Sequence, residues 1–318
     1  MDIPFSVLIE RAVEPTSSGE DIFANTKPLF EVKKLYLSPS DFILKYPRGA
    51  YTSARTVNKR SIMDFNGHID RIAKSLQLMK FTLPKNNNDK NDVEPSHITQ
   101  SLADYRDPEK LRKFVLPLLK EGLKEYFQLD SLIEAKEAKV TVFVFYSFEE
   151  SRPRLIVHIS RLNSPKSPKC KVEIYGEPRK LAMAKDSQWV RDRKVIEESL
   201  PPGYDEVLLF DSQTQNVYEG LSSNFFVVLP NPDEQQHSML ITAPLKYVLE
   251  GTIMKIVVKI CERDNIDFRY EFPNIRDIGK WQGALVLPIE LLSFRDGSRP
   301  TIELPKDNHP IIEHVREE

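Results

Sequence analysis

An α+β chain built as two domains is what this sequence predicts, and three observations predict it. The chain has 318 residues, more than a single hydrophobic core usually organises. Runs rich in β-branched and aromatic residues alternate with stretches of helical periodicity, so neither pattern holds throughout. Between two strand-like runs, SRLNSPKSPK (Ser160–Lys169) carries two Ser-Pro-Lys units, the composition of a linker. The expected division is a small α+β domain over residues 1–162 and a larger, strand-rich domain over residues 163–318.

In the first domain, LFEVKKLYL (Leu29–Leu37) reads as an edge strand. HIDRIAKSLQLMKF (His68–Phe81) places Ile69, Ile72, Leu76 and Met79 at helical spacing. A polar, Asn-rich stretch, Lys85–His97, reads as an exposed loop. DPEKLRKFVLPLLKEGLKEYF (Asp107–Phe127) opens on an Asp-Pro-Glu helix start, and Pro117 predicts a kink within it. VTVFVFYSF (Val140–Phe148) and RLIVHIS (Arg154–Ser160) have the density of buried strands.

Beyond the linker, KVEIYG (Lys171–Gly176) and KLAMAK (Lys180–Lys185) read as strands, and SQWVRDRKVIEESL (Ser187–Leu200) as one amphipathic helix stopped by Pro-Pro-Gly. DEVLLFD, NFFVVL and SMLITA are strands, GTIMKIVVKICERDN (Gly251–Asn265) is a helix, and GALVLPI with a short helix around PIIEHV closes the chain. The sequence contains no internal repeat.

Composition excludes several function classes. Forty-five basic against 47 acidic residues leave a net charge of −2, which gives no electrostatic basis for binding nucleic acid or an anionic membrane. Two distant cysteines, Cys170 and Cys261, make neither a disulfide scaffold nor a cysteine-rich metal site, so no metal is expected. The N-terminus lacks the basic and apolar regions of a signal or transit peptide. No stretch approaches the roughly 18 apolar residues of a membrane span. A cytoplasmic location is the expectation.

Chemistry is expected where ionisable groups fall at strand ends. Lys185 ends KLAMAK, Glu219 opens the strand-bound stretch YEGLSSNFFVVL, and VLEGTIMK sets a Gly-Thr pair at a helix N-terminus, where free amides and the helix dipole favour a phosphate. An amine that can form a Schiff base, a carboxylate that can keep a ring nitrogen protonated and an anion cradle are together what a protein contributes to pyridoxal 5'-phosphate chemistry.

These residues carry a resemblance. EG-x-SSN-FFVV, the strand ending at Thr242 and L-x-G-T at the next helix look like the class IV pyridoxal-phosphate enzymes, which include branched-chain and D-amino acid aminotransferases and 4-amino-4-deoxychorismate lyase. GAYTSARTV is similar to the family's G-x-F-E/T-T/G-x-R strand, HIDRI to its H-I-x-R-L helix start, and AKDSQWVRDRKVIEESLPPGYDEVLLFD to its lysine segment and following strand. Six motifs stand in order from Gly49 to Cys261.

The resemblance implies a D-amino acid aminotransferase-like fold with a pseudo-barrel second domain, a homodimer, and a small amino acid or amine as substrate. It implies Lys185 as the Schiff-base lysine, with Lys194 as competitor, and Glu219 as partner of the pyridine nitrogen. Arg71 and the amides of Gly251, Thr252 and Ile253 fall at phosphate positions; Ser222, Ser223 and Asn224 at ring-face and turn positions. Tyr51 and Thr52, on opposite faces of a strand, supply one residue for the substrate side and one for the core.

The chain departs from the family pattern at four places. Leu221 replaces a small residue, and G-T-I-M-K stands where G-I-T-R is common. GALVLPIELLSF (Gly283–Phe294) is aliphatic where a Ser/Thr-rich turn is usual. VFYSFEESRPR lacks an Arg-Gly carboxylate trap, for which Arg152 or Arg154 could substitute. An aminotransferase-like enzyme is the broad expectation. A lyase-like β-elimination is one alternative, since TSAR (Thr52–Arg55) is closer to the lyase's strand, and a non-catalytic member that keeps the fold is the other.

Overall fold

The computed structural model describes residues 5–11, 30–82, 93–129, 137–162, 169–233, 237–286, 289–295, 302–303 and 309–317. Most of the expected 85–97 loop and of the linker lies outside these residues. Two compact units account for the chain: residues 1–163 together with 184–190, and residues 164–183 together with 191–318. The residue that ends KLAMAK, Lys185, thus groups with the N-terminal unit.

The first unit is built on an antiparallel sheet. Its strands are β1 (Phe5–Arg11), β2 (Phe30–Tyr36), β3 (Gly49–Val57), β4 (Ser61–Ile62), β5 (Ala138–Ser147) and β6 (Arg152–Arg161), in the order β2-β1-β6-β5-β3-β4. β2 is an edge strand, as its charged alternation predicts. β5 buries nearly every residue because both faces of the sheet are covered, which explains its unbroken apolar run. One face carries α2 (Phe65–Leu78), α3 (Ser96–Arg106) and α4 (Pro108–Leu129), and the other holds a cluster around Tyr51, Phe143, Phe145 and Phe42 of α1 (Pro39–Leu44).

Where two helices are expected in this half, the described residues hold four. α1 and α3 bury only two residues each, too few for a periodic stripe to show in the sequence. Pro117 sits inside α4, which runs on for all 22 residues. Its missing amide costs a helical hydrogen bond, offset by burying Leu111, Val115, Leu118 and Tyr126 against the sheet.

His158 on β6 is fully buried, with its ring stacked 4.8 Å from that of Phe42. Burial pushes its pKa down to about 4, the Leu37 backbone opposing the shift. A histidine with a depressed folded pKa contributes stability that is whole above its unfolded pKa, near 6.5, and is lost as pH falls towards 4. His158→Phe should therefore flatten the loss of unfolding free energy between about pH 6.5 and pH 4, measured by urea titration at stepped pH. An unchanged slope would remove His158 as a source of acid lability.

The second unit is a mixed sheet that curls on itself. Its path is β12 (Phe268–Tyr270), β11 (Ser238–Thr242), β10 (Phe225–Pro230), β13 (Gly283–Val286), β14 (Ile289–Arg295), β7 (Lys169–Ile174), β8 (Glu206–Phe210) and β9 (Val217–Gly220), with β15 (Ile302–Glu303) beside β14. The chain next to the two ends of this path meets: Asn216 bridges Asn274, and the Val217 amide donates to the Pro273 carbonyl at 2.7 Å. This near-closure is the pseudo-barrel.

Residues of β10 alternate between two cores. Phe225 and Val227 join Cys170, Val172 and Trp281 on one face, while Phe226 and Val228 join α7 (Thr252–Arg263) and α8 (Pro310–Glu317) on the other. FFVVL is continuously apolar for that reason. The aliphatic GALV of β13 has the same cause, since Ala284 and Val286 enter one core and Leu285 the other.

Two expected elements differ in the structure. KLAMAK is a series of turns, not a strand, and the single helix expected over Ser187–Leu200 is α5 (Gln188–Asp192) followed by α6 (Lys194–Ser199). α5 buries only Val190 and α6 buries nothing, so no apolar stripe holds the two in one helical register. Among the described residues no helix is long and apolar enough to cross a membrane.

Candidate active site

The lysine segment is held as an addition to the sheet of the first unit. β4 pairs with β3 only at Thr56 and Val57, which leaves the start of that edge open. Residues 185–187 fill it: the Tyr51 amide donates to the Lys185 carbonyl at 3.0 Å, and the Ser187 amide to the Gly49 carbonyl at 2.8 Å. The Gly49 amide donates in turn to Ser187 Oγ at 2.9 Å. Gly49 is needed here, because a Cβ would stand 2.3 Å from the Val144 carbonyl oxygen. Arg48 clamps the next residue, Asp186, with Nη2 at 2.6 Å and Nε at 2.9 Å from Oδ2.

A second tie joins the segment to α2. The Lys185 amide donates to Ser75 Oγ at 2.9 Å, and that hydroxyl donates to the Arg71 carbonyl at 2.6 Å. Both main-chain polar groups of Lys185 are therefore fixed, while its half-buried side chain places Nζ 5.2 Å from the centre of the Tyr51 ring. Lys194, by contrast, is exposed on α6 and lies 3.9 Å from Glu198. The alternation of β3 puts residues 51 and 52 on opposite faces. Tyr51 shares the face of Lys185 Nζ, whereas Thr52, 1% exposed, bonds His68 Nδ1 at 2.7 Å on the helical face.

Arg71 reaches the same histidine, with Nη2 2.7 Å from Nδ1. A guanidinium can only donate, so Nδ1 accepts and the geometry assigns the ring proton to Nε2. His68 thus orients Arg71 on α2 and braces Thr52.

In the second unit the stretch YEGLSSNFFVVL holds two carboxylate sites. Glu219 lies on β9, 3% exposed. Its Oε1 accepts from Arg179 Nε at 2.8 Å and Nη2 at 2.6 Å, and its Oε2 accepts from the Leu249 amide at 3.0 Å. Arg179 also donates to the Ala182 carbonyl at 2.8 Å and is almost wholly buried. Nothing in the spacing of EPRKLAMAK marks Arg179. The only signal was a cation that the turns of this segment could fold back onto Glu219.

The serines of the stretch serve a different carboxylate. Ser223 and Ser222 Oγ donate to Glu206 Oε2 at 2.9 and 3.3 Å, with the Val207 amide on Oε1 at 3.0 Å. Burial pushes the Glu206 carboxyl above its usual range, and these donors oppose the shift. Asn224 is 8% exposed and donates to the Leu249 carbonyl at 2.8 Å. Its Oδ1 occupies the space of a Gly251 side chain, since a Cβ there would lie 2.3 Å away. Leu221, the least typical residue of the motif, is 4% exposed, and its carbonyl accepts from Arg193 at 3.1 Å.

Asn224 thereby positions the start of α7. Gly251 is its N-cap with extended backbone, and no side chain caps the helix, the kind of helix start whose dipole favours an anion. Gly251, Thr252 and Ile253 are each half-buried there. Among the described residues no cluster of histidine, cysteine or acidic side chains is arranged to hold a metal.

Similar solved structures share this architecture. A fold IV-transaminase from Curtobacterium pusillum is 15% identical over 95% of this chain and 94% of its own, with a TM-score of 0.62. A branched-chain aminotransferase from Thermoproteus uzoniensis, solved with norvaline, is 15% identical over 90% of each chain, with a TM-score of 0.61. A hypothetical aminotransferase from Mycobacterium tuberculosis in its PLP-bound form is 19% identical over 93% of this chain and 94% of its own, with a TM-score of 0.59. At such identities the likeness shows the fold. No curated protein matches the sequence. The family model described as amino-transferase class IV matches residues 49–287, from the first residue of β3 to just past the last of β13. This chain belongs to the class IV aminotransferases, a pyridoxal-phosphate-dependent family.

Proposed function

We infer that the chain is an enzyme acting on an amino acid or related amine by aminotransferase-like chemistry, with Lys185 as the lysine that carries the cofactor. The supporting observation is the fixing of Lys185 at both its amide and its carbonyl, with its amine against Tyr51, while Lys194 is an exposed helix residue. The other groups suit the same cofactor. The uncapped start of α7 and Arg71 fit a phosphate. Glu219, ion-paired with Arg179 in a buried strand, fits a protonated ring nitrogen.

When bound, pyridoxal phosphate supplies an aldehyde that takes an amine and a ring that accepts the electron pair released at the α-carbon. Lys185 Nζ is the attachment point and the group that removes and returns the α-proton. Glu219 holds the proton on the ring nitrogen, and Arg179 keeps that carboxylate aimed. Tyr51, on the lysine's face of β3, flanks the reacting centre.

Purified protein supplied with the cofactor should turn yellow, and borohydride should fix the label on the peptide containing Lys185. Colourless protein that takes up no cofactor would sink this reading, and label on Lys194 would reassign the lysine. A screen of amino donors then separates the reactions. Keto acid formed only with an acceptor supports transamination, whereas pyruvate released without one supports the elimination that TSAR of β3 suggests.

A further inference from the structure

A cavity of about 330 Å³ lies in the first unit where the ends of β1 and β6 meet α3 and α4. Its lining includes neither Lys185 nor Tyr51, although Arg154 also lies over the ring of Phe145 in the Tyr51 cluster. Its volume is within the range of small-molecule sites. Tyr105 of α3 and Phe114 of α4 form one wall, with ring centres 5.3 Å apart, and Pro117, Leu118 and Leu155 extend the apolar surface.

The charge around this surface is one-sided. Arg11, Lys113, Arg152 and Arg154 line the cavity, against Glu10 as the one acidic lining residue. Glu10 is taken up by Arg154 and Lys33, and Arg152 by Glu150. Arg11 and Lys113 make no ion pair among the described residues. Burial raises the Tyr105 hydroxyl above its ordinary pKa, and Arg152 and Arg11, which line the same cavity, oppose the shift.

We propose that this cavity binds a small monocarboxylate with a flat apolar body, its carboxylate held by Arg11 and Lys113 and its body against Tyr105 and Phe114. The apolar wall supplies the burial, and two cations that make no ion pair among the described residues select negative charge over a neutral compound of the same shape. An amine of that shape would be repelled.

Phenylacetate is a suitable probe, with benzyl alcohol and benzylamine as neutral and cationic counterparts, each titrated by ligand-observed NMR. Saturable binding of phenylacetate is expected, at least about tenfold tighter than of either counterpart. Arg11→Gln/Lys113→Gln should weaken it by about tenfold or more. Both positions are exposed, so the variant should fold as wild type, and circular dichroism checks this. Phe114→Ala should weaken the carboxylate and the alcohol alike, and Lys185→Ala should leave phenylacetate binding intact. Binding lost in Lys185→Ala but kept in the charge variant would assign the probe to the lysine site and overturn the proposal. So would the absence of saturable binding, or equal affinity for the alcohol.

Discussion

Arg179→Ala is expected to lower the unfolding free energy by about 3–5 kcal/mol, because it leaves the Glu219 carboxylate buried without its counter-charge. Glu219 Oε1 would lose both guanidinium donors, while Oε2 keeps the Leu249 amide. Arg179→Met/Glu219→Gln, which removes both charges at similar volume, should regain most of that loss, since a neutral pair avoids two desolvation costs. Urea titration of the two single variants and the double variant measures the coupling. A cost below about 1 kcal/mol for Arg179→Ala would show that the pair is solvated in solution. The double variant should still bind cofactor poorly, as the role proposed for Glu219 at the ring nitrogen requires a carboxylate.

Lys185→Ala should give the opposite profile, a large functional loss with little change in stability. What fixes residue 185 is its amide on Ser75 and its carbonyl on Tyr51, and alanine keeps both. The lost contact with the Tyr51 ring is worth about 0.5–1 kcal/mol at such a site. Turnover should fall by at least about 10²–10⁴-fold, the contribution of a placed acid–base group, and borohydride should fix no label. Lys194→Ala, on the exposed face of α6, should leave both readouts unchanged. Equal loss in the two lysine variants would indicate a structural cause.

Much of the fold was legible because it has local causes. Ile69, Ile72 and Leu76 are buried on one face of α2 as their spacing predicts, and β10 and β5 carry unbroken apolar runs because both of their faces are covered. The chain also carried enough ordered motifs from β3 to α7 to point to its family. Elements with little buried surface were not legible: α1, α3, the split between α5 and α6, and the turns of KLAMAK.

Residues 185–187 completing the open edge of β3, Arg179 closing on Glu219, His68 joining Thr52 to Arg71, and Glu206 gathering Ser222 and Ser223 were decided by the tertiary structure alone. Apart from His68 and Arg71, neighbours on α2, each joins groups 16 or more residues apart: Thr52 and His68 are 16 apart, Glu219 and Arg179 are 40, and Lys185 and Ser75 are 110. Periodicity reports which face of an element is buried, because burial repeats with the turn of a helix or the pleat of a strand. A hydrogen bond between two single polar groups repeats with nothing. The sequence by itself determined the elements that bury a periodic stripe or an apolar run, and the family pattern. Only folding decided which carboxylate received the arginine and which received the serines, because a buried charge takes its partner from whatever the packed chain places within reach.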